Sequence, residues 1–189
     1  MRVIAGEKRG LRLSAIKGDW IRPTSDKVKG AVFNSIQLRV SEAEVFVDLF
    51  GGSGSMGIEA LSRGIPKAYF FDISRDSIEI IRKNLKLAGY EKRGEVRHCS
   101  AEEGISMLAD RGIRCDVIFM DPPYKDGEDM IRLLEKISDK KILNSDGIIM
   151  MEHEKSVIMP LGINLFEKTK EKKYGSTLIS YYEWKKDVL

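Results

Sequence analysis

Histidine and cysteine are nearly absent from this chain, with two of each among 189 residues. Cys99 and Cys115 both fall in strand-like runs and read as small buried hydrophobes, so no disulfide framework is expected. His98 and His153 stand far apart in the sequence, which leaves no metal-ligand cluster, and no metal is expected. No apolar run approaches the ~20 residues of a membrane span. Met1 to Ala5 leads straight into strand-like pattern without an apolar leader, and the chain is expected to be cytoplasmic, with no membrane partner. There is no internal repeat and no low-complexity segment. Prolines number only five, and two of them are adjacent, Pro122 and Pro123. What remains is 42% hydrophobic and 32% charged, the composition of a soluble globular chain. Its length suits one domain, residues 1–189, with a sizeable core.

The net charge of +3 hides an asymmetry. Residues 1–30 carry eight Lys/Arg against three acids, whereas the other 159 carry 24 against 26. A basic segment on a near-neutral body suggests contact with a polyanion. Arg2-Val3-Ile4-Ala5 and Leu11-Arg12-Leu13 flank a basic loop with glycine at each end, which predicts a β-hairpin. Pro23 breaks the chain. Thr24 or Ser25 can serve as a helix cap, and apolar residues at helical spacing predict a helix from Ser25 to about Leu38. Residues 1–40 therefore form a basic hairpin plus helix, and 41–189 a second unit of different pattern.

In that second unit strand and helix alternate. Strands are predicted at Glu44–Phe50, Ala68–Phe71, Glu95–Cys99, Cys115–Met120 and Gly147–Glu152. Helices are predicted at Met56–Arg63, Ser74–Ala88, Ala101–Asp110 and Asp129–Ile137. Asn164–Lys172 and Thr177–Trp184 then read as a hairpin with no helix between them. The alternation gives an α/β fold: a Rossmann-like, mostly parallel sheet with a C-terminal antiparallel hairpin, helices on both faces and a small N-terminal β-hairpin extension. Ligands of such sheets bind at the carboxyl ends of the strands, near the switch in strand order. The turns after the first, second and fourth strands should converge there.

The first of these turns, Gly52-Ser53-Gly54-Ser55-Met56-Gly57, matches a dinucleotide-binding pattern, with Asp72 standing 20 residues after Gly52. Asp48 stands just before the glycines, where it would repel a pyrophosphate. The same carboxylate suits a ligand bearing an ammonium group, such as the methionyl end of S-adenosylmethionine. Asp72 can accept hydrogen bonds from ribose hydroxyls in either cofactor, and Ser100-Ala101 can lie beside an adenine. The fourth strand ends in Asp121-Pro122-Pro123-Tyr124. A carboxylate and stiffened carbonyls can accept from an NH2 group, and Tyr124 offers a face on which a base stacks.

Asp48 to Gly57, Asp72 and Asp121 to Tyr124 together resemble class I S-adenosylmethionine-dependent methyltransferases that modify exocyclic amines. Arg2-Val-Ile-Ala-Gly6, Arg9-Gly-Leu-Arg-Leu13, Arg22-Pro-Thr-Ser-Asp-Lys-Val28, Phe33-Asn34 and Glu59-Ala-Leu-Ser-Arg-Gly64 are similar to the RsmD-type enzymes, and the resemblance covers nearly the whole chain. It implies methylation of a guanine N2 in the 16S RNA of the bacterial small ribosomal subunit, free or assembling, by a monomer. Implied catalytic residues are Asp121, Pro122, Pro123 and Tyr124. Implied cofactor contacts are Asp48, Phe50, Gly51, Gly52, Ser53, Gly54, Gly57, Asp72, Ile73, Ser100 and Ala101. Implied RNA contacts are Lys8, Arg9, Arg12, Arg22, Thr24 and Lys27. The chain departs from the family's usual residues at Ser100, where an acid is common, at Asp72, where Glu is common, and at Gly52, where alanine is common. Competing readings are an adenine-N6 or cytosine-N4 nucleic-acid methyltransferase and a non-catalytic RNA-binding or ribosome-assembly protein.

Overall fold

A computed structural model describes residues 1–15, 26–123 and 127–186. After the N-terminal stretch come helices α1 (Asp26–Ser35) and α2 (Gln37–Glu42). The alternating part comprises β1 (Val45–Asp48), α3 (Ser55–Ser62), β2 (Lys67–Asp72), α4 (Arg75–Ala88), β3 (Gly94–His98), α5 (Ala101–Asp110), β4 (Cys115–Met120) and α6 (Gly127–Lys140). It closes with β5 (Leu143–Glu154), β6 (Gly162–Ile163), β7 (Phe166–Tyr174) and β8 (Thr177–Trp184). These strands form one sheet in the order β3-β2-β1-β4-β5-β8-β7-β6. Strands β1 to β5 are mutually parallel, and β8 and β7 add to the β5 side as an antiparallel hairpin. The alternation predicted a mostly parallel sheet with this hairpin, and that is what forms; β6 is an addition that the sequence pattern did not show.

Each face of the sheet carries its own apolar layer. One face packs Phe46, Phe70, Phe119 and Met150 against the N-terminal stretch and α1 to α4, through Val3, Val32, Phe33, Ile58, Leu61, Ile81 and Leu85. The other packs Val47, Phe71, Ile118 and Ile149 against Ile105 and Leu108 of α5 and Leu133, Leu134 and Ile137 of α6. Strands buried on both sides read as continuous apolar runs, as β4 does with Val117-Ile118-Phe119-Met120. In α4 the expected signals all act: Ser74 Oγ accepts from Ser77 N, and Gly89 closes the helix in the left-handed conformation.

Two predicted elements differ in detail. The single helix expected over Ser25–Leu38 is broken at Ile36, whose φ of −123° is not helical. The breaking residue is itself buried, and α2 restarts from it to bury Val40. The N-terminal hairpin has one β-bridge, Arg2 to Arg12, held by Val3 N to Leu11 O (2.9 Å), Gly10 N to Val3 O (2.9 Å) and Leu13 N to Met1 O (3.1 Å). It is too short for a ladder because its loop turns inward onto α3. No helix among the described residues is long and apolar enough to cross a membrane.

Candidate active site

The sheet reverses strand order at β1. The chain runs outward through β2 and β3, then returns to lay β4 on the other side of β1. In open α/β sheets ligands bind beyond the strands' carboxyl ends at such a reversal. Register places Asp48 level with Phe70 of β2 and Phe119 of β4. Asp72 and Asp121 lie two residues further along those neighbours, so three carboxylates emerge at one edge.

Asp48 is buried, and its Oδ1 has no hydrogen-bond partner. Burial first, and then the charges of Asp72 and Asp121, push its pKa up to about 7, against the backbone N–H groups of Phe50 and Gly57, which favour the anion. Asp121 is half-buried, and loss of hydration pushes its carboxyl up to about 6. Such a pocket, with an orphaned acceptor and accumulated negative charge, fits a cationic ligand group. Asp72 is tied to the turn around it: Oδ2 accepts from Gly52 N and Oδ1 from Ser74 N, both at 2.8 Å. Each oxygen keeps a second lone pair, so the carboxylate can still accept from hydroxyls.

The glycine-rich turn is held from three sides. Gly51 N donates to Phe71 O (2.8 Å), Gly54 N to Gly51 O (2.6 Å), and the buried Asn84 of α4 donates to Ser53 O (2.9 Å). Asn84 also exchanges hydrogen bonds with both backbone groups of Ser14, Nδ2 to Ser14 O at 2.9 Å and Ser14 N to Oδ1 at 2.8 Å. The turn is thus linked to the N-terminal stretch. Gly57 lets α3 approach β2: a Cβ there would lie 2.2 Å from Phe70 Cε1. Phe50 is half-buried and Ile73 is exposed beside Asp72, its carbonyl 2.8 Å from His98 Nε2. Ser100 caps α5 in a reciprocal arrangement with Glu103, which occupies its hydroxyl and N–H, while Ala101 is buried. Of the expected catalytic residues, Asp121 directly follows β4 and is half-buried, Pro122 is buried and Pro123 is exposed; Tyr124 lies outside the described residues.

The expected RNA contacts are more divided. Arg9, Arg12 and Lys27 are exposed, and Arg22 and Thr24 lie outside the described residues. Lys8 is matched to Glu7 at 2.8 Å and lies 5.7 Å from the centre of the Tyr90 ring, so part of its charge is already answered. The hairpin is docked. Ile4 N and Ala5 N donate to the two oxygens of the buried Glu59, at 2.7 and 3.0 Å, and Glu7 N reaches Ser62 O at 2.8 Å. Lys29, one of the eight basic residues of the N-terminal surplus, is buried. Its Nζ donates to Arg2 O (2.7 Å) and lies 4.0 Å from Glu59, so it holds the hairpin from inside. Sequence reasoning assigned no role to Glu59, Lys29 or Asn84. Glu59 carried a signal: a lone acid in the otherwise apolar run Met56 to Leu61.

The family model described as "Conserved hypothetical protein 95" matches residues 1–183. The chain belongs to that family. YlbH of Bacillus subtilis (strain 168) is 38% identical over 183 residues, 97% of this chain and 98% of that protein. The "Ribosomal RNA small subunit methyltransferase D" of Escherichia coli (strain K12) is 31% identical over 185 residues, 97% of this chain and 89% of that protein. Among solved structures, yhhF from Escherichia coli superposes with a TM-score of 0.83 at 28% identity, covering 98% of each chain. The family is therefore that of the RsmD-type methyltransferases, as the motifs implied, and the sheet is the Rossmann-like sheet of class I methyltransferases. This membership sets the dinucleotide reading of the glycine turn aside.

Proposed function

We propose that this family member transfers a methyl group from S-adenosylmethionine to the exocyclic N2 amine of a guanine in small-subunit ribosomal RNA. The observation that carries the reading is the convergence of Asp48, Asp72 and Asp121 at one sheet edge, with an unpartnered acceptor on Asp48. In this reading Asp48 receives the cofactor's ammonium group, Asp72 its ribose hydroxyls, and the glycine-rich turn its backbone. Bound there, the cofactor supplies a sulfonium-activated methyl, a chemistry that requires no metal.

The chain's own residues solve the other half of the problem, since an aryl amine's lone pair is delocalised into its ring. Asp121 and the carbonyl of Pro122 accept the two N–H hydrogens, aim the nitrogen and favour its pyramidal form. The proton lost on transfer passes to Asp121, whose pKa of about 6 keeps it ionised yet basic at neutral pH. Tyr124 stacks on the base, which enters unpaired or flipped. Arg9, Arg12, Arg22 and Lys27 of the N-terminal stretch take RNA phosphates. The assay is single-turnover transfer of labelled methyl to small subunits from cells lacking the protein. Asp121→Ala is expected to lower the rate by at least about 100-fold with cofactor affinity retained. Near wild-type turnover in that variant would remove Asp121 from the mechanism.

A further inference from the structure

A second basic patch stands at the catalytic edge, far from the N-terminal stretch in sequence. β5 runs parallel to β4, and β7 is antiparallel to β8, which is itself antiparallel to β5. β7 therefore ends on the same edge as Asp121. Register agrees: Glu154 at the end of β5 and Tyr174 at the end of β7 both pair with Thr177. Lys155 comes directly after β5 and Lys173 is the penultimate residue of β7, and both are exposed. The register thus sets two lysines at one edge, and loss of hydration, followed by the neighbouring charge of Lys173, holds the Lys155 pKa below its ordinary value.

Two cations at one edge call for an anion, and neither nearby acid is paired with them among the described residues: Glu154 accepts from Ser156 Oγ at 3.5 Å. Glu171 accepts from Lys168 Nζ at 2.7 Å and from Ser180 Oγ at 3.1 Å. Neither Lys155 nor Lys173 forms an ion pair among the described residues. The loop after Lys155 has a second peculiarity. Val157 and Met159 are buried, but Ile158 between them is 88% exposed. That loop abuts the start of α6, since a Cβ on Gly127 would lie 3.4 Å from Val157 Cγ1. That same helix begins six residues after Asp121 in the sequence. Lys155 stands one strand over from Asp121 and three residues beyond its level, about 10 Å along the strand direction. β7 is three strands from β4, roughly 14 Å across.

We propose that Lys155 and Lys173 bind backbone phosphates of the substrate RNA next to the target nucleotide, while Ile158 packs against a neighbouring base. This inference rests on the reading that the substrate is RNA. It gives the site a second RNA contact on the far side of Asp121 from the N-terminal hairpin, so that the target base is presented from two directions.

The test is RNA binding by Lys155→Gln/Lys173→Gln, measured across a series of salt concentrations and paired with cofactor titrations. Loss of two phosphate contacts is expected to reduce the slope of log K against log[salt] by about 1.4–1.8. KM for RNA should rise while kcat at saturating RNA and cofactor affinity stay unchanged. Ile158→Ser should weaken RNA binding without altering the slope. Lys140→Gln/Lys141→Gln removes two exposed charges at the opposite edge of the sheet, where α6 gives way to β5, and should leave the slope as it is. An unchanged slope in Lys155→Gln/Lys173→Gln, with wild type binding RNA normally, overturns the patch alone. Failure of the wild type to bind or methylate RNA overturns the underlying RNA reading and the patch with it.

Discussion

Replacing Asp48 by asparagine separates the two demands on that carboxylate. With a folded pKa of about 7 against an ordinary 3.8, its ionised form is disfavoured in the free protein by about 4 kcal/mol. The sign comes from linkage: between pH 3.8 and 7 the folded state holds the proton that the unfolded chain has lost, so stability falls as pH rises through that window and is lowest above it. Asparagine removes the charge but sets an N–H2 in place of the unpartnered oxygen, a penalty of roughly 1–3 kcal/mol. The free Asp48→Asn protein should therefore be more stable than wild type by about 1–3 kcal/mol at pH 8, or several degrees in Tm at about 2–4 °C per kcal/mol. At pH 5 the gain should vanish or reverse. Cofactor affinity should move the opposite way, falling by two orders of magnitude or more, because a buried ion pair broken on one side loses about 3–5 kcal/mol. Thermal melts at both pH values, with and without S-adenosylmethionine, read all of this. An Asp48→Asn protein no more stable than wild type at pH 8, or one with full cofactor affinity, would refute the reasoning.

The packing sets three further outcomes. Glu59→Ala removes the acceptor of Ile4 N and Ala5 N and leaves Lys29 buried without its counter-charge; urea denaturation should show a loss of about 3–5 kcal/mol. Gly6→Ala should undock the hairpin, since φ is +81° and the new Cβ would lie 1.8 Å from Ser62 O; the same measurement should show a loss above about 1 kcal/mol, with cofactor affinity retained. His153 is buried between Ser180 Oγ (2.8 Å) and Glu154 O (3.0 Å), and burial holds its pKa below 6.5. The stability it contributes is present above 6.5 and is lost as pH falls through the depressed value, so His153→Gln should flatten that acid-side loss in melts between pH 5 and 7.5.

The sheet and its helices were legible because their signals are local. Buried strands read as apolar runs, α4 has a serine cap and a terminal glycine, and α6 repeats its apolar residues at helical spacing. The carboxylates at the strand ends were legible for the same reason, each being the first acid after an apolar run. The interrupted helix at Ile36 was not legible, because a buried apolar residue fits a continuous helical stripe as well as a break. The N-terminal charge surplus predicted a polyanion-facing segment, yet it does not tell Lys29, locked beside Glu59, from the exposed Arg9. Sorting them needs the pairing of residues about 30 apart, which no local pattern carries. The adenine-side expectation at Ser100 meets a side chain occupied by its capping box with Glu103, a motif visible in Ser100-Ala101-Glu102-Glu103. Lys155 and Lys173 come together only because β7 lies in the same direction as β5, a fact of sheet topology.

The most direct test of the proposed activity is the identity of the methylated nucleoside. Labelled S-adenosylmethionine, the purified protein and small ribosomal subunits from cells lacking it are incubated together, and the RNA is then digested to nucleosides. Label in N2-methylguanosine is the predicted result. Label in N6-methyladenosine or N4-methylcytidine, or no label from a protein that binds the cofactor, would contradict it.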